Sequence, residues 1–487
     1  MSGIKQYFGI DFGTTNTAMT GILKSDEGKK NIRYGDEYGS PFPSLVAIDK
    51  LTGKVYCGRD VWKEKNELSE TCEIIKSIKS YLGTEKIWTI AGKIWTPEIV
   101  AGHLFMALKE NARNKYQSEV KEAVVSVPVG FSSKKRQALR KAAKEAGINI
   151  KSFISESTAA LLENYKHLKQ FSKIAVFDWG GGTLDVSVVE IKNNTIKELS
   201  VSGMKLGGDD IDEALARWAH SKAANKKKSN ISFDEMPLKY QDKILTEAEK
   251  AKKELSYEDS TNISILKYGE LGSVHIHVDF DQFTALTEKY VLRAIGTLEE
   301  AVSTAQLNME EIDCILMVGG SSNLRVLHEK IEQLWINQHI EFPEDPEWSA
   351  AEGATSLGIY PGCFKLNQDV GLILSDNTFF SVQECHTTVP SKENQLEFGI
   401  VEDTMDARFI FSDNTYSDKE KSKKILDYVT VPVYGFGNER IVLRSYIDED
   451  LVFKAKIKSN HKMEQFERTY ELSDLKFYYE LPKGLEE

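Results

Sequence analysis

Two short stretches of the chain carry residues that could handle a phosphorylated ligand: GIDFGTTNTAM (9–19) and VFDWGGGTLDV (176–186). Each runs apolar strand, Asp, a Gly/Thr turn, then a second apolar strand. Glycine in such a turn leaves backbone N–H groups open to phosphate oxygens, and the hydroxyls of Thr14, Thr15 and Thr183 add donors. Asp11 and Asp178 stand just before the turns and bring a carboxylate to the phosphate seat, where it can hold Mg²⁺ through waters. Asp185, two residues past Thr183, supplies a third carboxylate. One such turn alone reads equally well as a plain glycine hairpin; the matched pair favours the phosphate reading.

A third element has the same tendency. The apolar run IDCILMV (312–318) leads into Gly319-Gly320-Ser321-Ser322, with a helix expected from about Asn323. Strand, glycine turn and helix N-terminus together seat a nucleotide. The spacing fits neither G-x-G-x-x-G nor G-x-x-x-x-G-K-[ST], which excludes Rossmann and P-loop sites. No H-E-x-x-H, G-x-S-x-G or Cys/His nucleophile arrangement is present.

These turns need rigid elements behind them. Residues 7–12, 123–129, 173–179 and 312–318 are short apolar runs that read as buried strands. Between them lie helix patterns. One has Thr96 as N-cap, Pro97 at the first helical position, and a stripe of Ile99, Val100, Phe105, Leu108 and Ala112. Another, SSKKRQALRKAAKEAG, begins at Ser132 or Ser133 and stops at Gly147. The two matched turns make two related lobes of one α/β domain. From about Asp369 the pattern changes to an all-β module. There RIVLRSYI (440–447) and LVFKAKIK (451–458) flank the turn Asp448-Glu449-Asp450, and Leu451, Phe453, Ala455 and Ile457 share one face. YPGCFKLNQ (360–368) is the expected connector.

Length and charge agree with this plan. At roughly 150 residues per domain, 487 residues suggest about three units. Lys+Arg 62 against Asp+Glu 74 gives a net charge of −12, which argues against nucleic acid or an anionic membrane as main partner. No apolar run approaches the roughly eighteen residues of a membrane span, and MSGIKQYFGID lacks a signal core. Five scattered cysteines suggest neither a disulfide framework nor a zinc site. A cytoplasmic protein is expected.

The three glycine elements resemble the phosphate-1, phosphate-2 and adenosine motifs of the actin-like ATPase superfamily. Within it, GIDFGTTN, VSVPVGFSSKKRQALRKAAKEAG, ESTAA, FDWGGGTLDVSVVE, LGGDDID, EAEKAKKELS and VGGSS are similar to signatures of the seventy-kilodalton heat-shock chaperones. The likeness covers about residues 5–362. It continues more faintly over 369–480, through VPVYGF and RSYIDEDLVFKAKIKS. It implies a duplicated ribonuclease H-like (actin-like) two-lobe ATPase domain over 1–362, a linker over 363–368, and a β-sandwich substrate-binding domain over 369–487. It also implies a short member without the family's helical lid, whose open β-module would exchange clients quickly. ATP or ADP with Mg²⁺, and K⁺ as a further candidate ion, are the implied cofactors. Unfolded or extended polypeptides and co-chaperones are the implied partners.

The resemblance also implies roles. Asp11 and Asp178 would hold the Mg²⁺–phosphate water shell. The turns Gly13, Thr14, Thr15, Asn16 and Gly180, Gly181, Gly182, Thr183 would contact phosphates. Lys79 in IIKSIKSYLG matches the lysine near the γ-phosphate, although taken alone it reads as a solvated helix lysine. Glu156 matches the glutamate on the attacking-water side, and Asp185 the aspartate near the γ-phosphate. Glu249, Lys252, Lys253 and Ser256 match the adenosine clamp; their plainer reading is an exposed helix face with Glu–Lys pairs. Gly319, Gly320, Ser321 and Glu347 complete the nucleotide set, with Asp209 on a further motif position. Pro128 and Arg136 match the proline switch and its relay arginine.

Departures from the family pattern bear on coupling. Asn323, Leu324 and Arg325 replace the usual Arg, apolar residue and Pro after VGGSS, so an adenine-stacking arginine is either missing or shifted to Arg325. Ser157 follows Glu156 where the family has Pro. Ser152 and Ser155 replace an arginine and an asparagine used in J-domain coupling. CFKLNQ replaces the acidic, leucine-rich linker. Two functions are therefore expected in competition: an ATP-dependent chaperone with slow hydrolysis, and a nucleotide-sensing scaffold with little hydrolysis and one dedicated partner. The appended β-module disfavours a small-molecule kinase or a filament-forming relative. His275 and His277 in VHIHV read as an ordinary exposed strand face, Lys226–Lys228 as a solvated helix tip or loop, and KEKSKK (419–424) as a loop between strands.

Overall fold

The computed structural model describes residues 5–25, 28–36, 39–400, 405–417, 420–433, 440–459, 466–473 and 475–482. Two compact units divide the chain: residues 1–191 with 198–359, and residues 192–197 with 360–487.

The first unit repeats one sheet plan. In its first half the central strand Lys5–Phe12 pairs antiparallel with Asn16–Ser25 and parallel with Glu122–Val127. Asn149–Ser155 continues the parallel side and Gly28–Arg33 the antiparallel side. In the second half Lys173–Trp179 pairs antiparallel with Leu184–Lys192 and parallel with Cys314–Val318. His339–Glu341 and Thr195–Met204 extend that sheet on corresponding sides. The internal echo in the sequence is thus a structural duplication. Ile10, Phe12, Val125, Val176, Phe177, Ile315 and Leu316 are buried, as expected of near-continuous apolar strands covered on both faces.

Register carries the site. Asp11 lies opposite Ala18 and Ser126, and Asp178 lies opposite Asp185 and Val318. Both aspartates occupy the penultimate position of their central strand. Open α/β sheets bind ligands beyond the carboxyl ends of their strands, which is where both turns sit.

The helices follow their local signals. Pro97–Tyr116 is capped by Thr96, whose hydroxyl accepts from Ile99 N at 3.4 Å. Ser132 is the cap of Ser133–Glu145, which settles that start, and Gly147 follows with φ 69°. After Gly319 the chain makes a 3₁₀ turn over Gly320–Asn323, so the helix expected from about Asn323 spans Arg325–Leu334 instead. Helix Ser349–Ile359 packs against both the Lys5–Phe12 strand and helix Glu156–Glu163. Glycine permits both contacts: a Cβ on Gly353 would stand 1.8 Å from Ala159 O, and one on Gly9 2.3 Å from Ala351 O. No helix among the described residues is long and apolar enough to cross a membrane.

The second unit has no helix among its described residues. One antiparallel sheet runs Phe379–Gln383, Asp369–Ile373, Asp406–Ser417, Glu420–Pro432; the other runs Asn394–Gly399, Arg440–Ile447, Phe453–Ser459, Glu467–Leu472. Val370, Leu372, Phe411, Leu443, Phe453, Ala455 and Ile457 form one buried core, making a β-sandwich. The module and its hairpin match the sequence reading, with three differences. Leu451 stands in the turn at φ 61°, before the strand, because the Asp448 carboxylate accepts from Asp450 N and Val452 N and tightens the turn. Residues 363–366 of the expected connector form a strand, Cys363–Leu366, paired with Phe477–Glu480 and Thr388–Val389. Residues 420–424 of KEKSKK belong to strand Glu420–Pro432 rather than a loop, pairing with Asp406–Ser417; residue 419 lies outside the described residues, as do residues 434–436 of VPVYGF.

Glycine contacts give a stability test. Gly353→Ala should destabilise by about 1–3 kcal/mol through overpacking. Gly296→Ala, in helix Phe280–Thr304 with open space around its Cβ, should stabilise by roughly 0.5–1 kcal/mol. Urea unfolding of both variants checks the pair; equal effects would contradict the close helix crossing.

Candidate active site

The two Gly/Thr turns meet. Gly13 N bonds Asp11 O at 3.2 Å, and Gly180 N bonds Thr183 O at 2.9 Å, closing the turns locally. A Cβ on Gly181 would lie 2.7 Å from Thr15 Oγ1, and one on Gly182 3.6 Å from Thr14 Cγ2. Only glycine at 181 allows that approach, so Thr14 and Thr15 face Gly181 and Gly182 across a narrow gap. Gly13 is required for a different reason, since its Cβ would strike Asn16 O at 2.0 Å. Asn16 itself is exposed at the start of its strand.

The third glycine element joins them. Gly319 holds φ 81°, and its missing side chain lets Asp178 Oδ1 approach to 2.6 Å of the Cβ position. Ser321 Oγ donates to Gly180 O at 2.8 Å, whereas Gly320 meets nothing. Helix Gly208–Lys227 starts at the same place: Gly208 N bonds Gly180 O at 3.1 Å and Asp209 N bonds Gly181 O at 2.7 Å. Burial pushes the Asp209 carboxyl up, against the pull of Lys252.

The charged residues converge as well. Lys79 Nζ donates to Glu156 Oε1 at 2.6 Å, and both side chains are buried. Lys79 is therefore not a solvated helix lysine. Burial opposes its charge, but Glu156 and Asp11 outweigh that and raise its pKa. Burial, then Glu156, pushes Asp11 up to about 7 against Lys79 and the Ser126 hydroxyl, which donates at 2.9 Å. Burial with Glu156, Asp11 and Asp185 raises Asp178 well above the carboxylate range. Burial and Glu156 raise Asp185 to about 6, against Lys79 and Thr183. One ammonium thus faces four carboxylates. Excess buried negative charge from hard oxygen donors fits Mg²⁺. No three His, Cys, Asp or Glu among the described residues group tightly enough to hold a metal ion by themselves.

The expected adenosine clamp is only partly free. Lys253 pairs with Glu249 at 2.7 Å, the plain helix-face pairing, and Ser256 Oγ bonds back to Lys252 O. Lys252, by contrast, is drawn to the site: its Nζ bonds Asp212 Oδ2 at 2.7 Å and Gly208 O at 3.1 Å. Burial raises the Glu347 carboxyl, against a hydrogen bond from its own backbone and the charges of Arg33 and Lys253. Arg325 is committed elsewhere, stacked 4.0 Å from the Phe280 ring centre and paired with Asp259 and Glu329. Arg136 is buried and donates to Phe131 O, while Phe131 N bonds Pro128 O. His275 and His277 sit on an exposed face with Ser264 and Asn262 as partners.

Sequence reasoning missed Ser126, Asp212 and Trp62. Ser126 lies beside Asp11 only through strand register. Asp212 is the last acid of LGGDDID, one helical turn inside the helix. Trp62 hydrogen-bonds the Glu249 carboxylate, which sits far along the chain; burial pushes that group up, but Lys253, then Lys252 and Trp62, hold its pKa below the ordinary value.

A pH dependence follows. Raised carboxyl pKa values mean that the ligand-free site takes up protons as pH falls through about 7 and about 6, so the free fold gains relative stability there. A cation must displace those protons. Mg–ADP should bind about tenfold more weakly at about pH 6 than at about pH 8, with a smaller rise in Tm. Calorimetric titration at both pH values checks this; a pH-independent affinity would contradict it.

A sequence profile described as "Hsp70 protein" matches residues 42–406, beginning after the first Gly/Thr turn and running into the β-sandwich unit. Members of that family are ATP-dependent chaperones that bind ATP or ADP with Mg²⁺ and act on unfolded polypeptides together with co-chaperones. With that match extending over most of its length, the chain belongs to the Hsp70 family.

Proposed function

We propose that this chain is an ATP-dependent molecular chaperone that hydrolyses ATP slowly and binds extended polypeptide through its β-sandwich. The ATPase part is proposed to span residues 1–362, with 363–368 as the link and 369–487 as the substrate-binding part. One observation carries the reading: matched Gly/Thr turns in contact, each preceded by a half-buried aspartate, beside a buried Lys79–Glu156 pair.

The residues divide the work. Backbone N–H groups of 13–15 and 180–183 and the three threonine hydroxyls cradle phosphate oxygens. Lys79 Nζ, already poised between Glu156 and Asp11, stabilises charge on the terminal phosphoryl group. Glu156 accepts a hydrogen bond from the attacking water and aims it; Asp185 takes up the proton load near the terminal phosphate. Asp11 and Asp178 would hold Mg²⁺ through waters, and the ion would supply positive charge against the phosphates. Lys252 and Ser321 border the nucleoside end.

The sandwich would take an apolar, extended peptide by strand-type contacts. Ser152 and Ser155, which replace residues tied to co-chaperone coupling, together with Ser157 and the altered linker favour a second reading, a nucleotide-sensing scaffold with one dedicated partner.

Two experiments test these readings. Lys79→Ala should lower ATP turnover by on the order of 10²–10³ while retaining Mg–ADP binding, and Asp178→Asn should weaken Mg–nucleotide binding itself. Unchanged turnover in Lys79→Ala would sink the assigned site. Affinity for a panel of unfolded peptides, measured with ATP, with ADP and without nucleotide, separates the two functions. Broad binding that changes with nucleotide is expected of the chaperone; binding to no peptide in the panel would favour the scaffold.

A further inference from the structure

Glu198 belongs to none of the motifs, yet three hydroxyls converge on one of its carboxylate oxygens. Ser155 Oγ donates to Glu198 Oε1, as do Ser157 Oγ at 3.1 Å and Thr158 Oγ1 at 3.0 Å. Ser155 also caps helix Glu156–Glu163, its hydroxyl accepting from Thr158 N at 3.2 Å. Ser157 and Thr158 are buried. These donors bracket Glu156 on both sides in the chain, and Glu198 reaches them from strand Thr195–Met204.

Glu156 needs such a restraint. It is the first residue of its helix, and Asp11, Asp178 and Asp185 all repel its carboxylate, with Lys79 as its one ion-pair partner among the described residues. A second carboxylate fixed at the positive end of the same helix is favourable in itself, and charge-assisted hydrogen bonds hold geometry better than neutral ones. The hydroxyls thus turn Glu198 into a clasp on the first helical turn.

We propose that Glu198 is a positioning residue for ATP hydrolysis: through Ser155, Ser157 and Thr158 it locks the first turn of the Glu156 helix and so fixes where the Glu156 carboxylate points. This inference rests on the ATPase reading above. It separates binding from chemistry, because Ser155, Ser157 and Thr158, the three hydroxyls bonded to Glu198, are not among the groups assigned to nucleotide. Misaligning a reacting group by about 1 Å can cost up to about 10²-fold in rate while leaving binding nearly intact.

Single-turnover ATP hydrolysis by the full chain, with Mg–ADP titration and Tm alongside, tests it. Glu198→Ala should lower the hydrolysis rate by about tenfold and leave the Mg–ADP Kd within about twofold. Glu198→Gln keeps an acceptor oxygen and should recover most of the rate. Ser157→Ala, a milder change, should lower the rate with the same split and add little to Glu198→Ala, which keeps the idea testable if Glu198→Ala folds poorly. A wild-type rate in both Glu198→Ala and Ser157→Ala overturns the inference. So does a loss of rate matched by equal losses of ADP affinity and Tm, which would mark a merely structural role. A wild type without turnover overturns the ATPase reading and this inference together; wild-type turnover with unaffected variants overturns this inference alone.

Discussion

The first unit depends on a charge imbalance: one buried ammonium, Lys79, set among the carboxylates of Asp11, Glu156, Asp178 and Asp185. Nothing in folding favours this arrangement, since burying carboxylates without counter-charge is expensive and is met in the free protein by raised pKa values. The imbalance is tolerated because rigid surroundings fix it. Both aspartates sit on central strands paired on both sides, and Ser126 holds Asp11 by a hydrogen bond. A cation arriving with phosphate would relieve that excess of negative charge.

That placement requires two sheets to bring their turns into contact, and glycine makes the contact possible. Gly181 admits Thr15, Gly319 admits Asp178, and Gly207 lies against Gly181 O, where a Cβ would stand only 2.1 Å away. Farther back, Gly9 and Gly353 let helix Ser349–Ile359 lie directly on the central strand and on the helix that begins with Glu156. Phosphate turns and supporting helices are therefore one packing problem. Enlarging a glycine behind the site would disturb the carboxylates in front of it.

Much of this was legible in the sequence, and the pattern of successes has a physical basis. Apolar runs, the Thr96–Pro97 and Ser132 caps, the two turns and their aspartates are local signals, set by the periodicity and conformational preference of neighbouring residues. Ser126, Asp212 and Trp62 act across register or across helices, and no local spacing marks them. The reading of 420–424 failed because lysine-rich polarity resembles a loop, whereas the backbone pairing with Asp406–Ser417 that makes it a strand has no mark in its own residues. Cys363–Leu366 is a strand only because Phe477–Glu480, over a hundred residues later, pairs with it. Arg325 was a candidate for the base seat by position, but Phe280, Asp259 and Glu329 hold it on the helix surface.

The serines around Glu156 show why a departure from a family pattern need not be a loss. Judged by type alone, Ser155 and Ser157 look like the removal of functional groups. In place, Ser155 both caps the helix and donates to Glu198, and Ser157 and Thr158 donate to the same oxygen. A proline at 157, lacking any side-chain donor, would leave Glu198 one hydroxyl short. A residue without a hydroxyl at 155 could not do both jobs at once. The substitutions and the acidic partner form a consistent set, so the polar groups that these positions bury are satisfied. Local self-consistency of this kind marks a first helical turn whose polar groups hold one another, so the replaced residues leave Glu156 on a well-fixed backbone.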